Sequence, residues 1–271
     1  LKNNLFGIDL DKRAGDLAAF ALVMKARVNK KSFFNSSIQP NICVLENIKF
    51  ESNELNEYKN KVDSDLFNSS LEITLNQFGE TKNYGSLIKT KLEEIDKIYE
   101  KLRFIKFPND IFLDFTHKKV LKAIHQSIYL DKRYHIVVAN PPYMGAKGMN
   151  LELSKFAKDF YPDSKSDLFA MFIERSMSLV YESGYLSFLT MQSWMFLSSY
   201  SHFRRMIYEK NQLIQMFHTG PGLFPDLGAF NVLTTTFLIK IGKKSNNYCL
   251  FIKGNESPNI EDKIKSLKDY E

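Results

Sequence analysis

Two adjacent prolines constrain this chain more than any other feature. Pro141 and Pro142 end the apolar run Tyr134–Ala139, within the string VVANPPYMGAKGMN (residues 137–150). Proline has no backbone N–H and fixes φ at about −65°, so a strand cannot run on through the pair. Beyond Ala139 the backbone must form a stiff elbow, with the amide of Asn140 on one side and the phenol of Tyr143 on the other.

The strand before that elbow belongs to an alternating pattern. Leu5–Leu10 reads as a short buried strand ending in acid. Asp11 can cap a helix whose apolar face is Ala14, Leu17, Ala18, Ala21 and Leu22. The segment NICVLENI (41–48) is a second apolar strand, so the first 48 residues read β-α-β, which implies a parallel sheet. Residues 51–131 are polar and helical in period. Leu87, Ile88, Leu92, Ile95, Ile98, Tyr99 and Leu102 make one stripe, with Glu93 and Lys97 paired on its polar side. Val120, Leu121, Ile124 and Ile128 make another, with Thr116 as its cap, and Phe78–Ser86 reads as a loop.

The α/β rhythm then resumes. A helix is expected over Asp167–Val180, a Ser183-Gly184 turn, and a strand over Tyr185–Met191. A helix over Ser199–Glu209 and a strand over Leu213–His218 follow. Asn231–Ile241 and Asn247–Lys253 read as an antiparallel pair joined by GKKSN. The resulting division is 1–50 for an N-terminal part of the sheet, 51–131 for a helical insertion, 132–253 for a catalytic part, and 254–271 for a charged tail leading to a downstream region.

Composition narrows the class further. At 44% hydrophobic and 25% charged residues the chain is an ordinary globular one. No apolar run reaches the roughly 18 residues of a membrane span, and no secretory leader is visible. Cys43 and Cys249 lie in apolar segments without metal-ligand spacing, which suggests two buried thiols in a cytoplasmic protein and no metal. A net charge of +6 suits a polyanionic partner such as nucleic acid.

The elbow suits one kind of chemistry. An exocyclic aromatic amine such as adenine N6 is a poor nucleophile because its lone pair is delocalised into the ring. Two acceptors on its NH2 favour a more tetrahedral nitrogen and aim the lone pair at an electrophile. The Asn140 side-chain oxygen and the Pro141 carbonyl fit that role, with Pro142 stiffening the turn. Tyr143 fits as a plate on the base, a contact worth about 1–3 kcal/mol. In a parallel sheet, ligands gather at the strands' carboxyl ends. An acid at a strand end commonly takes both ribose hydroxyls of a nucleotide. Asp9 fits that role, Leu10 can lie against an adenine ring, and Asn47 or Glu46 can reach its edge. Lys147, between two glycines after the elbow, is a candidate phosphate contact. His218, Trp194 and Met195 read as structural, and Asp163, Lys165 and Asp167 as solvated residues capping a helix start.

At this point FGIDLD, HIVVANPPY, DLFAMFIERSMSLVYESGYLSFLT and LFPDLGAFNVLTTTFLI resemble the successive motifs of adenine-N6 DNA methyltransferases. NPPYMGAKGMN, YPDSKSDLFAMFIER and TMQSWMFLSS look like the PglX-type methyltransferase of BREX phage-defence systems, a relative of type IIG restriction-modification enzymes. The resemblance covers roughly residues 5–242 and is strongest over 134–200. It implies a Rossmann-like α/β sheet that binds S-adenosyl-L-methionine and acts on an adenine turned out of double-stranded DNA. Residues 1–50 would supply the second and third strands of that sheet. Other phage-defence proteins are implied as partners, and no membrane. By position, Asn140 and Pro141 would orient the amine, Tyr143 would stack, and Phe224, rather than Phe230, would close the other face. The family's glycine-rich loop after a first strand has no counterpart before Leu5, so the chain is expected to be a piece of a longer protein, able to bind cofactor only poorly. Two readings compete. One keeps the transfer chemistry but changes the acceptor to a protein glutamine or ribosomal RNA. The other is a non-catalytic DNA- or partner-binding remnant.

Overall fold

The computed structural model describes residues 1–62, 67–90, 92, 94–224, 232–242, 248–254 and 259–268. It divides into two units, residues 1–132 and 133–271.

In the first unit, β1 (Phe6–Asp9) leads into α1 (Lys12–Asn29) and then β2 (Asn41–Val44). The strands pair in parallel from Phe6↔Asn41 to Asp9↔Val44. Asp11 is the helix cap, accepting from the Arg13 N–H at 2.7 Å. The helix can lie close to β2 because residue 15 is glycine. A Cβ there would meet Val44 Cγ2 at 2.6 Å. Gly15→Val is therefore expected to overpack this contact and lower stability by about 1–3 kcal/mol, read as a shifted urea midpoint.

After β2 the chain forms α2 (Glu54–Lys59), α3 (Ser69–Gln77), α4 (Thr81–Tyr84), α5 (Ile95–Leu102) and α6 (Ile111–Asp131). These helices share one core with β2. Cys43, Leu45 and Ile48 pack with Tyr58, Leu71, Leu75, Val120 and Ile124. The helical segment is thus built onto the strand rather than set apart from it. Buried Tyr58 and His117 bond each other at 2.7 Å, O–H against Nδ1. Four local expectations change. Phe78–Ser86, expected as a loop, is a run of helical turns around α4. The long stripe is helical only from Ile95, since Leu87 lies in a 3-10 turn. Glu93 lies outside the described residues, and Lys97 pairs with Glu94 instead. The last helix begins five residues before Thr116, where Asp110 accepts from the Leu113 N–H at 2.9 Å; Thr116 instead bonds Glu54 from inside the helix.

In the second unit β3 (Tyr134–Ala139) is followed by α7 (Leu151–Phe160), α8 (Leu168–Leu179), β4 (Val180–Met191), α9 (Ser193–Phe196) and α10 (Ser201–Lys210). Then come β5 (Asn211–Gly220), β6 (Thr234–Ile241), β7 (Leu250–Lys253) and α11 (Ile260–Lys268). The sheet order is β3-β4-β6-β5-β7. β3 is parallel to β4, and β6 is antiparallel to both β4 and β5, so β3, β4 and β5 all point the same way. The expected turn at Ser183 lies inside β4, with φ +68°.

The expected β6–β7 hairpin does not form. β7 pairs in parallel with the far side of β5, from Gln215↔Leu250 to His218↔Lys253. The reason is burial: Phe237 and Ile239 lie in the apolar core with Phe169, Ile173, Leu186, Phe188, Trp194 and Phe203, which places β6 centrally. β7, with Leu250 and Phe251 exposed, suits an edge. The last helix is anchored as well, because Lys263 is buried and donates to the carbonyls of Thr219 and Gly254. Of the two thiols Cys43 is buried and its pKa is pushed up to about 12 by desolvation, whereas Cys249 is exposed, contrary to expectation.

Candidate active site

The carboxyl edge of the second unit's sheet carries the ends of four parallel strands. Asn140 follows β3, Gln192 follows β4, His218 to Gly220 close β5, and Lys253 closes β7. The elbow leaves this edge as the prolines require, with Pro141 buried and Asn140, Pro142 and Tyr143 exposed.

The elbow is held from two sides. The Tyr143 hydroxyl donates to Asn140 Oδ1 at 2.8 Å and also lies 3.2 Å from the Leu189 carbonyl in β4. Its ring stands edge-on to buried Phe169, with centroids 6.4 Å apart and planes at 85°. Desolvation raises the Tyr143 pKa, so the phenol keeps its proton at neutral pH. Beyond the ring, Met144 N–H donates to Asp167 Oδ1 at 3.1 Å and Leu168 N–H donates to the Met144 carbonyl at 3.0 Å. Gly145 and Asp167 form an antiparallel bridge.

Asp167 does more than end a helix in solvent. One carboxylate oxygen caps α8 at Phe169 N–H and ties down the residue after Tyr143. Burial raises its pKa, and the backbone donors of Phe169, Met144 and Leu168 oppose that rise. The sequence offered only an Asp before an apolar helix, a pattern that does not reveal a partner 23 residues upstream.

Other expected site residues stand as follows. Asp9 is exposed at the carboxyl end of β1. Its Oδ1 accepts from Asp11 N–H at 2.8 Å, and a carboxylate keeps further acceptor capacity for a diol. Leu10 is half-buried against the helical core, where a Cβ on Gly85 would meet its Cδ1 at 3.2 Å. The Asn47 side-chain oxygen accepts from Lys82 N–H at 2.7 Å, which makes Asn47 a loop anchor, and Glu46 pairs with Lys122 at 2.6 Å. Phe224 is half-buried four residues past β5, and Phe230 lies outside the described residues. Lys147 is exposed. His218 bonds Gln192, and its pKa is lowered by burial and by the charges of Lys263 and Lys253, so it is a neutral, structural ring. Trp194 is buried, its Nε1–H on Thr190 Oγ1 at 3.1 Å. No group of three or more potential metal ligands occurs among the described residues, and no helix there is long and apolar enough to cross a membrane.

Parallel strands joined by helices, one ending in an Asn-Pro-Pro-Tyr elbow, define an α/β sheet of the Rossmann-like methyltransferase type. The chain belongs to the Eco57I restriction-modification methylase family, which matches residues 3–224. It is 36% identical over 276 aligned residues to the adenine-specific methyltransferase BrxX of Escherichia coli O9:H4 (strain HS), covering 93% of this chain and 22% of that protein. It is 32% identical to the adenine-specific methyltransferase PglX of Lacticaseibacillus casei (strain Zhang), over 89% of this chain and 20% of that protein. The chain therefore spans about a fifth of the length of these curated relatives. A solved structure of a nuclease-deletion mutant of the type ISP restriction-modification enzyme LlaGI, in complex with a DNA substrate mimic, matches with a TM-score of 0.47. The identity is 14%, over 98% of this chain and 23% of that one.

Proposed function

We propose that this chain is the catalytic region of a DNA methyltransferase that uses S-adenosyl-L-methionine to methylate adenine N6 in double-stranded DNA. It would serve phage defence or restriction-modification in the cytoplasm. The observation that carries this reading is the elbow: an exposed Asn140 acceptor, on a proline-stiffened turn at a strand's carboxyl end, with an aromatic ring fixed beside it. Both curated relatives bear the name adenine-specific methyltransferase.

In this reading the target adenine leaves the duplex and enters the elbow. Asn140 Oδ1 and the Pro141 carbonyl accept from its amino group and localise the nitrogen lone pair. Carried on a proline-stiffened turn, both acceptors would need little reorganisation during reaction. Pro142 limits the motion of the turn, Tyr143 offers its ring to one face of the base, and Phe224 serves the other. S-adenosyl-L-methionine, when bound, supplies the electrophilic methyl group. Asp9 would hold its ribose hydroxyls, with Leu10 near the adenine ring; Asn47 would reach the adenine edge through its amide NH2 or through the second lone pair of its oxygen, the first being engaged by Lys82 N–H. Asp9→Ala is expected to weaken S-adenosyl-L-methionine binding about tenfold or more, the scale of a lost charged hydrogen bond, read by calorimetry without any turnover.

The test is to incubate the complete gene product containing residues 1–271 with methyl-labelled S-adenosyl-L-methionine and duplex DNA, then digest to nucleosides. The expected product is N6-methyladenine. Label in protein or RNA instead would move the acceptor to a glutamine amide or an RNA base. Absence of both transfer and cofactor binding would leave a DNA- or partner-binding role. Other phage-defence proteins as partners belong to the same proposal.

A further inference from the structure

The Tyr143 hydroxyl has no part in stacking, since a phenylalanine ring would offer a base the same faces. In the structure it nevertheless lies 2.8 Å from the acceptor on which the proposed chemistry depends. We propose that Tyr143 is a positioning residue: its O–H fixes which end of the Asn140 amide faces the substrate. This rests on the reading of Asn140 as the acceptor for an amino group.

A primary amide is nearly symmetric in shape, with a carbonyl oxygen that accepts and an NH2 that only donates. Asn140 is exposed, so neighbouring bulk does not select between its two orientations. The wrong one would set NH2 against the NH2 of the base, donor against donor. A phenol has one hydrogen to give. Directed to Asn140 Oδ1 at 2.8 Å, it locks the oxygen in place and leaves that oxygen's second lone pair for the substrate. Turned to the Leu189 carbonyl at 3.2 Å, it would leave the phenol oxygen as an acceptor that suits the reversed amide. The shorter bond selects the first arrangement. The phenol oxygen is itself well placed, because Leu189 lies in β4, paired to Thr236 of β6, and the ring abuts Phe169.

The decisive comparison uses a change of acceptor. A carboxylate at position 140 has oxygen at both ends, so nothing remains to orient. In the complete gene product, Tyr143→Phe is expected to lower single-turnover methyl transfer about 3- to 10-fold, the scale of one neutral hydrogen bond. The KM for a duplex oligonucleotide should not change. In an Asn140→Asp background the same Tyr143→Phe change is expected to cost less than about twofold. An equal loss in both backgrounds, or no loss in the Asn140 background, would overturn the proposal. If Asn140→Asp is itself inactive, amide proton contacts decide. Nuclear Overhauser effects from the Asn140 NH2 to the ring at position 143 should strengthen in Tyr143→Phe relative to wild type, and unchanged contacts would reject the orienting role. Retained activity in Asn140→Ala would defeat the underlying reading. An inactive Asn140→Ala beside a fully active Tyr143→Phe would defeat this inference alone.

Discussion

Asn140→Ala is expected to lower methyl transfer by about 100- to 1,000-fold, the usual effect of removing one preorganised hydrogen-bonding group from a reacting centre. Under the proposed function, cofactor affinity should change by less than about twofold, because Asn140 is given a role toward the base and Asp9, not Asn140, is proposed for the ribose. The change should not unfold the protein. Asn140 is exposed and its side chain meets only the Tyr143 hydroxyl among the hydrogen bonds of the elbow. Equal melting temperatures for variant and wild type, with transfer measured under single-turnover conditions, separate a chemical defect from a folding one. Transfer within tenfold of wild type would remove Asn140 from the mechanism.

Trp194→Ala is expected to lose about 3–5 kcal/mol of stability, the range for deleting a large buried aromatic side chain. Trp194 is fully buried and stands edge-on to Phe237 at 5.3 Å and to Phe203 at 6.1 Å. Its loss would also leave the Thr190 hydroxyl without its indole partner. These contacts link the helical layer to the central strand, so the loss should appear as one cooperative shift of the urea midpoint. Trp194→Phe, which keeps most of the volume, should lose less than half as much. A shift below about 1 kcal/mol in Trp194→Ala would mean that the core recloses around the gap.

Much of this architecture was legible because its signals are local. The Asp11 cap lies two residues from the N–H that it meets, and the apolar runs of β1, β3 and β4 are bounded by acid, proline or glycine. What escaped was set by distant neighbours. Whether residues 250–253 pair with β6 or β5 depends on which strand needs both faces covered, and that lies in the tertiary packing of Phe237 and Ile239. Thr116 resembled a cap because it is a β-branched hydroxyl before an apolar stripe; Glu54, 62 residues upstream, engages it in a helix already begun at Asp110. At the site, the order Asn-Pro-Pro-Tyr announced a stiff elbow carrying an amide and a ring. It could not announce that the phenol bonds the amide, or that Asp167 anchors the next residue, since both depend on how the loop returns to α8.

The central seat of β6 has a consequence for how the second unit comes into being. Its two partners, β4 and β5, leave the ribosome well before residues 234–241, so each must wait with an unsatisfied ladder edge for the strand that will separate them. Closure is then a late, non-local event, and such pairings are slow and open to association with other chains. A nascent polypeptide stalled near residue 220 should remain sensitive to protease and available to holdase chaperones. Extending it past residue 241, with enough further length to clear the exit tunnel, should bring protection in one step.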